Sequence, residues 1–193
     1  MADNLEFWRP LRGEGPALAP QLAERLAGLS ACLRSAKTLD EAFDLLASGL
    51  AADLPFDRLG LAVVTDDGHR LTSLRVRSRH ALRWNAGDSR PLLGSSLEAM
   101  IRERSVRIIH DLKRYQHLRP SSLSTKRLIE EGMRSSIALP IAGGERPLGV
   151  LFLTSVEPDT YHAEHARLLT ELSPTLDQAF GRLLAERTVA SPP

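Results

Sequence analysis

Three groupings of side chains in this 193-residue chain have types and spacings that could do chemistry. His162 and His165 lie three apart with Glu164 between them, so adjacent helical turns could bring both imidazoles to one ion. The pattern is not H-E-x-x-H and no cysteine accompanies it, so a polar helix start in water is the plainer reading. His110 and His117 stand on either side of a short polar stretch, where an imidazole could hydrogen-bond or ligate a bound molecule. Arg75, Arg77 and Arg79 alternate, which on a strand points all three to one face. That face is either a solvated edge that discourages pairing, or a wall that meets anions or an interface patch, because guanidinium forks bind carboxylate and phosphate.

Other chemistry is excluded more simply. Cys32 is the only cysteine, so no internal disulfide or cysteine cage can form and a reducing compartment is expected. It sits beside a leucine stripe and is expected to be a buried or half-buried structural thiol. There is no G-x-x-x-x-G-K-[ST] phosphate loop and no G-x-S-x-G elbow, and no enzyme is expected. The net charge of +1, with 42% hydrophobic and 25% charged residues, describes a globular chain with no general pull toward nucleic acid or lipid. The basic strand lacks interleaved aromatics, so direct nucleic-acid binding is not expected. No apolar run approaches the roughly 20 residues that span a bilayer, and the start lacks the order of a secretory signal. A cytoplasmic protein with no membrane contact is the expectation.

The elements that must hold these groups follow from periodicity. Residues 1–16 carry Pro10, Gly13, Gly15 and Pro16 and read as an irregular lead-in, with Phe7 and Trp8 packed on the body or on a partner. Leu18, Leu22, Leu26, Leu29 and Leu33 make a helical stripe. Thr38 to Glu41 is a capping box that opens a second helix with Leu39, Phe43, Leu46 and Leu50 inward. F-D-R-L-G-L-A-V-V-T, the turn at Asp66-Asp67-Gly68 and the stretch Arg70 to Arg79 form a strand pair. His80 to Pro91 reads as a loop or short strand carrying Leu82 and Trp84. Ser95 to Glu98 caps a third helix. Val106 to Ile109 is a short strand, Leu112 to Leu123 a loop, and Ser124 to Glu131 a helix stopped by Gly132. Ser135 to Ile141 and Leu148 to Thr154 are strands joined by Gly143-Gly144. A long helix spans about Ala163 to Arg187, with Pro174 expected to kink or weaken it, and residues 188–193 read as a disordered tail.

The phrases G-M-R-S-S-I-A-L-P-I and P-L-G-V-L-F-L-T-S, with F-D-R-L-G-L-A-V-V-T-D-D-G upstream, resemble the core of a GAF domain. The resemblance is to the bacterial kind found in front of histidine kinases, cyclic-di-GMP enzymes and sigma-54 activators. It implies an α+β fold with a GAF/PAS-like antiparallel sheet of five or six strands. Terminal helices would cover one face, and short helices and loops would roof a pocket on the other. One domain is expected over residues 17–187. Carried over position by position, the resemblance places Trp84, Ile109, Asp111, Tyr115, His117, Ile129, Ser135 and Ser136 at the pocket, with Asp111 at its mouth.

The same resemblance implies two functions. One is a sensor of a small cytoplasmic molecule in a signal-transduction or transcription regulator, which transmits occupancy through its terminal helices. The other is a ligand-free dimerisation and relay module. A homodimer through the leucine-striped terminal helices suits either, with the output domain or partner protein outside this chain. The cyclic-nucleotide signature of some GAF domains is missing. Covalent bilin attachment is disfavoured because Cys32 lies in the first helix. A free methionine sulfoxide reductase of this fold needs more than one cysteine. Haem on His110 or His117 is a minor alternative, and the ligand is left open.

Overall fold

The computed structural model describes residues 4–8, 18–81 and 86–190. Seven strands, β1 (Leu5–Trp8), β2 (Arg58–Val64), β3 (Arg70–Ser78), β4 (Ser89–Pro91), β5 (Val106–Ile109), β6 (Ser135–Gly143) and β7 (Arg146–Ser155), form one sheet in the order β1-β5-β6-β7-β2-β3-β4. Every pairing is antiparallel. The helices are α1 (Pro20–Ser35), α2 (Leu39–Leu50), α3 (Ser96–Glu103), α4 (Leu112–Leu118), α5 (Leu123–Glu130) and α6 (Ala163–Ala190).

Alternation along the strands gives the sheet two unlike faces. On one, Leu59, Leu61, Ile108, Ile137, Leu139, Leu151 and Leu153 are buried in a single core with Leu33, Phe43, Leu46, Leu172 and Phe180 of α1, α2 and α6. Each such side chain stabilises the fold by about 2 kcal/mol of transfer free energy. The terminal helices lie against each other: Thr175 Oγ1 bonds Ser30 Oγ at 3.2 Å, and Arg182 donates to the Ala36 carbonyl.

Local signals set several boundaries. Thr38 Oγ1 accepts from the Glu41 N–H at 3.1 Å, and Ser95 Oγ from the Glu98 N–H at 3.3 Å. Gly132 ends α5 at φ +89. There the Met133 N–H reaches the Leu128 carbonyl and the Gly132 N–H the Ile129 carbonyl, the paired bonds of a Schellman cap. In the β6–β7 hairpin Gly144 takes φ +67 while Gly143 stays paired with Arg146, so one glycine carries the left-handed position.

Four expectations are corrected. The sheet has seven strands rather than five or six: β4 falls in the stretch read as a loop or short strand, and the other short edge was not visible in the pattern. That edge is β1, inside the supposed lead-in, which pairs with β5 about a hundred residues away. α6 continues to Ala190, past the expected end at 187. Pro174 lies inside it and, as expected, removes one backbone bond without interrupting the helix. Leu112–Leu118, expected as loop, is α4, capped by Asp111. Cys32 is exposed, since it falls beside the buried Leu29 and Leu33 rather than under them. The expectations for the side chains of Phe7, Trp8 and Leu82 lie outside the described residues.

Two of the alternating arginines, Arg75 and Arg77, meet carboxylates of a helix rather than an outside anion. Arg75 and Arg77 pair with Asp40 and Asp44 of α2, two strand positions matched to one helical turn. They share the helix-covered face with Leu61 and Leu59, their cross-strand partners.

Candidate functional site

The other face of the sheet is built from two cross-strand rows. Ile109, Ser136, Thr154 and Arg58 stand side by side in one, and Arg107, Ala138, Phe152 and Gly60 in the next. Helices α3, α4 and α5 roof them. Between roof and sheet lies a cavity of about 480 Å³, a volume suited to a small molecule. Gly60 keeps the floor recessed: a Cβ there would come within 3.3 Å of Arg58 Nη1.

Three arginines converge on the cavity from β2, β4 and β5. Arg58 Nε lies 3.1 Å from Glu131 Oε2, with both side chains nearly sealed from water. Arg107 Nη1 donates to Ser96 Oγ at 2.7 Å, and the Tyr115 hydroxyl meets the same oxygen at 2.9 Å. The Arg90 guanidinium stacks 4.5 Å above the Phe152 ring. Burial, with the charges of Arg107 and Arg58, pushes Arg90 down to about 9. Burial pushes Arg107 down to about 10 against the opposing influence of Tyr115. Arg58 is lowered by burial, with Glu131 opposing. The residue Arg90 is only part-buried, but its Nε is fully enclosed.

Of the residues expected at the pocket, Ile109, Tyr115 and Ser136 line the cavity. Ser135 points to the opposite side of its strand, where its hydroxyl donates to the Glu157 carbonyl at 2.7 Å. Asp111 is not at this cavity's mouth. Its carboxylate caps α4 through the Lys113 N–H at 2.9 Å and takes a 2.9 Å bond from Arg134 Nη2. Burial alone would raise its pKa, but the Arg134 bond and the backbone N–H groups hold it below the usual value. Ile129 packs with Met133, Ile109 and Leu112 behind the wall. His117 is exposed on the outside of α4. Trp84 lies outside the described residues.

His110, His162 and His165 also lie off the cavity. His110 sits between Glu6 Oε1, 3.1 Å away, and Asp159 Oδ1, 3.6 Å away, off the cavity. His165 Nδ1 accepts from the His162 N–H at 3.1 Å, which closes the first turn of α6 as a cap does. Among the described residues no group of three or more His, Cys, Asp or Glu could hold a metal ion. Among them too, no helix is long and apolar enough to cross a membrane.

Sequence reasoning missed Arg58, Arg90, Arg107, Phe152 and Thr154. A signal was present for two of them: Arg107 interrupts the apolar run V-R-I-I, and Arg58 heads L-G-L-A-V-V. A charge inside a strand that is otherwise buried must face a partner or a cavity.

A sheet with packed terminal helices on one face and a roofed cavity on the other is the architecture of a small-molecule sensing module of signalling proteins. The family model described as GAF domain matches residues 36–180, and the chain belongs to the GAF domain family. A GAF domain of a two-component sensor histidine kinase from Bacillus halodurans is similar in structure, with a TM-score of 0.66 at 16% identity over 78% of this chain and 99% of that one. The GAF domain of an Acinetobacter phosphoenolpyruvate-protein phosphotransferase gives 0.69 at 13% identity, covering 87% and 97%. Free methionine-R-sulfoxide reductase from Neisseria meningitidis, in complex with its substrate, gives 0.66 at 16% identity, covering 89% and 97%. These identities speak for a shared fold alone. Comparison with curated protein sequences finds no match.

Proposed function

We propose that this GAF domain is the ligand-sensing part of a cytoplasmic bacterial signal-transduction or transcription regulator. The observation that carries the reading is the cavity of about 480 Å³ separated from the terminal helices by one thickness of sheet. A molecule bound against β5 and β6 presses on strands whose reverse side packs on α6. Asp177 of α6 accepts the Ala142 N–H of β6 at 2.8 Å, a direct link between strand and helix. Occupancy shifts the helices only if the ligand favours one packing over the other. Two copies paired along α1 and α6 would pass that change to an output domain or partner.

A non-catalytic role agrees with the cavity wall. Its described side chains are arginines, hydroxyls and apolar groups, with no carboxylate, histidine or thiol to act as base or nucleophile. The ligand-free relay has less behind it. Among the described residues the exposed large apolar ones are Leu93, Leu118 and Leu123, and the first and last of these line the cavity rather than a terminal helix.

The test is thermal shift with a panel of small metabolites on the wild type and on Ser136→Leu, whose side chain would fill the cavity floor. The reading expects at least one compound to raise the wild-type melting temperature and to leave the variant unmoved. Equal shifts in both proteins would remove the cavity as the site. Light scattering checks the pairing: a monomer at tens of micromolar would remove the dimer.

A further inference from the structure

The cavity carries a charge imbalance that the fold alone does not require. Arg58, Arg90, Arg107 and Arg119 line it, and no Asp or Glu does among the described residues. Glu131 meets Arg58 from behind the wall. Burial lowers the affinity of Arg90 for its proton, and the like charges of Arg107 and Arg58 lower it further.

Polar atoms at the same wall are also left open. Ser136 Oγ and Thr154 Oγ1 belong to residues at most 1% exposed, stand side by side in the register, and have no hydrogen-bond partner. Arg107 Nε, on a residue 7% exposed, has none either. Buried donors without partners are rare in folded proteins and costly. Two helices, α3 and α5, start at the cavity, with Ser95, Ser96, Ser122 and Ser124 among its lining residues. Their first N–H groups favour negative charge. Phe152, Leu112 and Leu128 add apolar surface to the same lining, and Leu93 and Leu123 stand at the surface.

We propose that the ligand of this cavity is a small doubly charged oxyanion, a phosphate monoester or a dicarboxylate, on an apolar body. Its oxygens take N–H bonds from Arg107 and Arg90 and hydroxyl bonds from Ser136 and Thr154. Its body lies against Phe152 and Leu112. This rests on the sensor reading and specifies the chemical class that reading leaves open.

Titration calorimetry on the full chain with phenyl phosphate, phthalate and benzamide tests it, at 50 and 300 mM salt. At least one of the two dianions should bind tenfold or more tightly than benzamide and weaken as salt rises. A preference for phenyl phosphate identifies the phosphate source, and a preference for phthalate the dicarboxylate. Arg107→Gln should lose tenfold or more in dianion affinity, the effect of one charge-assisted bond. Thr154→Val, which keeps the side-chain shape, should weaken dianion binding and leave benzamide unchanged. Should benzamide bind as tightly as both dianions, or both variants bind dianions like the wild type, the anion class is overturned and the sensor reading stands. If none of the three probes binds, the anion proposal fails, and the metabolite panel alone decides whether the cavity senses anything.

Discussion

Arg58 and Glu131 meet at 3.1 Å, and their contact ties β2 at the cavity floor to the residue that ends α5 in the roof. Both side chains are almost without solvent, at 6% and 1% exposure. Breaking such a pair by deleting one partner leaves a buried charge uncompensated, which typically costs about 3 kcal/mol or more. Glu131→Ala should therefore lower the denaturant midpoint strongly. It also makes the cavity more positive, so phenyl phosphate affinity should rise as stability falls. A variant as stable as the wild type would show that the contact contributes nothing.

A second prediction concerns α6. Pro174 has no N–H to give to the Thr170 carbonyl, and the Ser173 hydroxyl donates there instead at 2.9 Å. Ser173→Ala should cost about 1 kcal/mol, the usual loss for an unmade hydrogen bond. In a Pro174→Ala background the backbone bond is restored and the serine becomes dispensable. A double-mutant cycle by urea unfolding checks this: purely additive effects would exclude the compensation.

Asp111 tests the assignment of a carboxylate to structure rather than to ligand. Asp111→Ala should destabilise by about 1–2 kcal/mol, from the lost cap and a part-exposed ion pair. Because the folded carboxyl is held below its ordinary value of 3.8, the stability it contributes is present above that value. It is lost as pH falls through the lower folded value. Asp111→Asn should flatten the acid limb of the stability profile below about pH 4. Phenyl phosphate affinity should not change in either variant.

His165 gives a pH effect in a different window. Burial lowers its pKa below the ordinary 6.5, with Glu164 opposing and His162 adding to the shift. Its Nδ1 must also stay unprotonated to accept the His162 N–H. The neutral ring is thus the folded form, and its stability is complete above about pH 6.5. That stability is lost as pH falls from there through the lower folded value. Chemical denaturation between pH 5 and 8 should show His165→Gln losing less stability on acidification than the wild type. Parallel curves would place the pH dependence elsewhere.

Most helices, most strands and several caps were legible because their signals are local. Leucine steps of three and four marked α1, α2 and α6. Thr38 and Ser95 announced helix starts, and Gly132 a helix end. The family phrases sit in β2, β6 and β7, which form the middle of the sheet. β1 escaped notice because four residues near the start have no reason to be a strand until β5 arrives to pair with them. α4 escaped because its polar run, Lys113 to His117, buries only Leu112 and Tyr115.

Of the site, Ile109, Tyr115 and Ser136 were expected at the pocket through the resemblance to GAF domains, carried over position by position. The arginines could not be sorted that way. A shift of one residue along a strand moves a side chain to the opposite face. Arg75 and Arg77 could be read as a solvated edge or as an anion wall, and only the packing of α2 supplied Asp40 and Asp44 as their partners. Arg58, Arg90 and Arg107 come from three separated strands, and only their antiparallel register and the roof of α3, α4 and α5 bring them to one cavity. Order along the chain sets which side chains are apolar and how often they recur. Which of them share an enclosed space depends on contacts between distant segments, and those exist only once the sheet has closed.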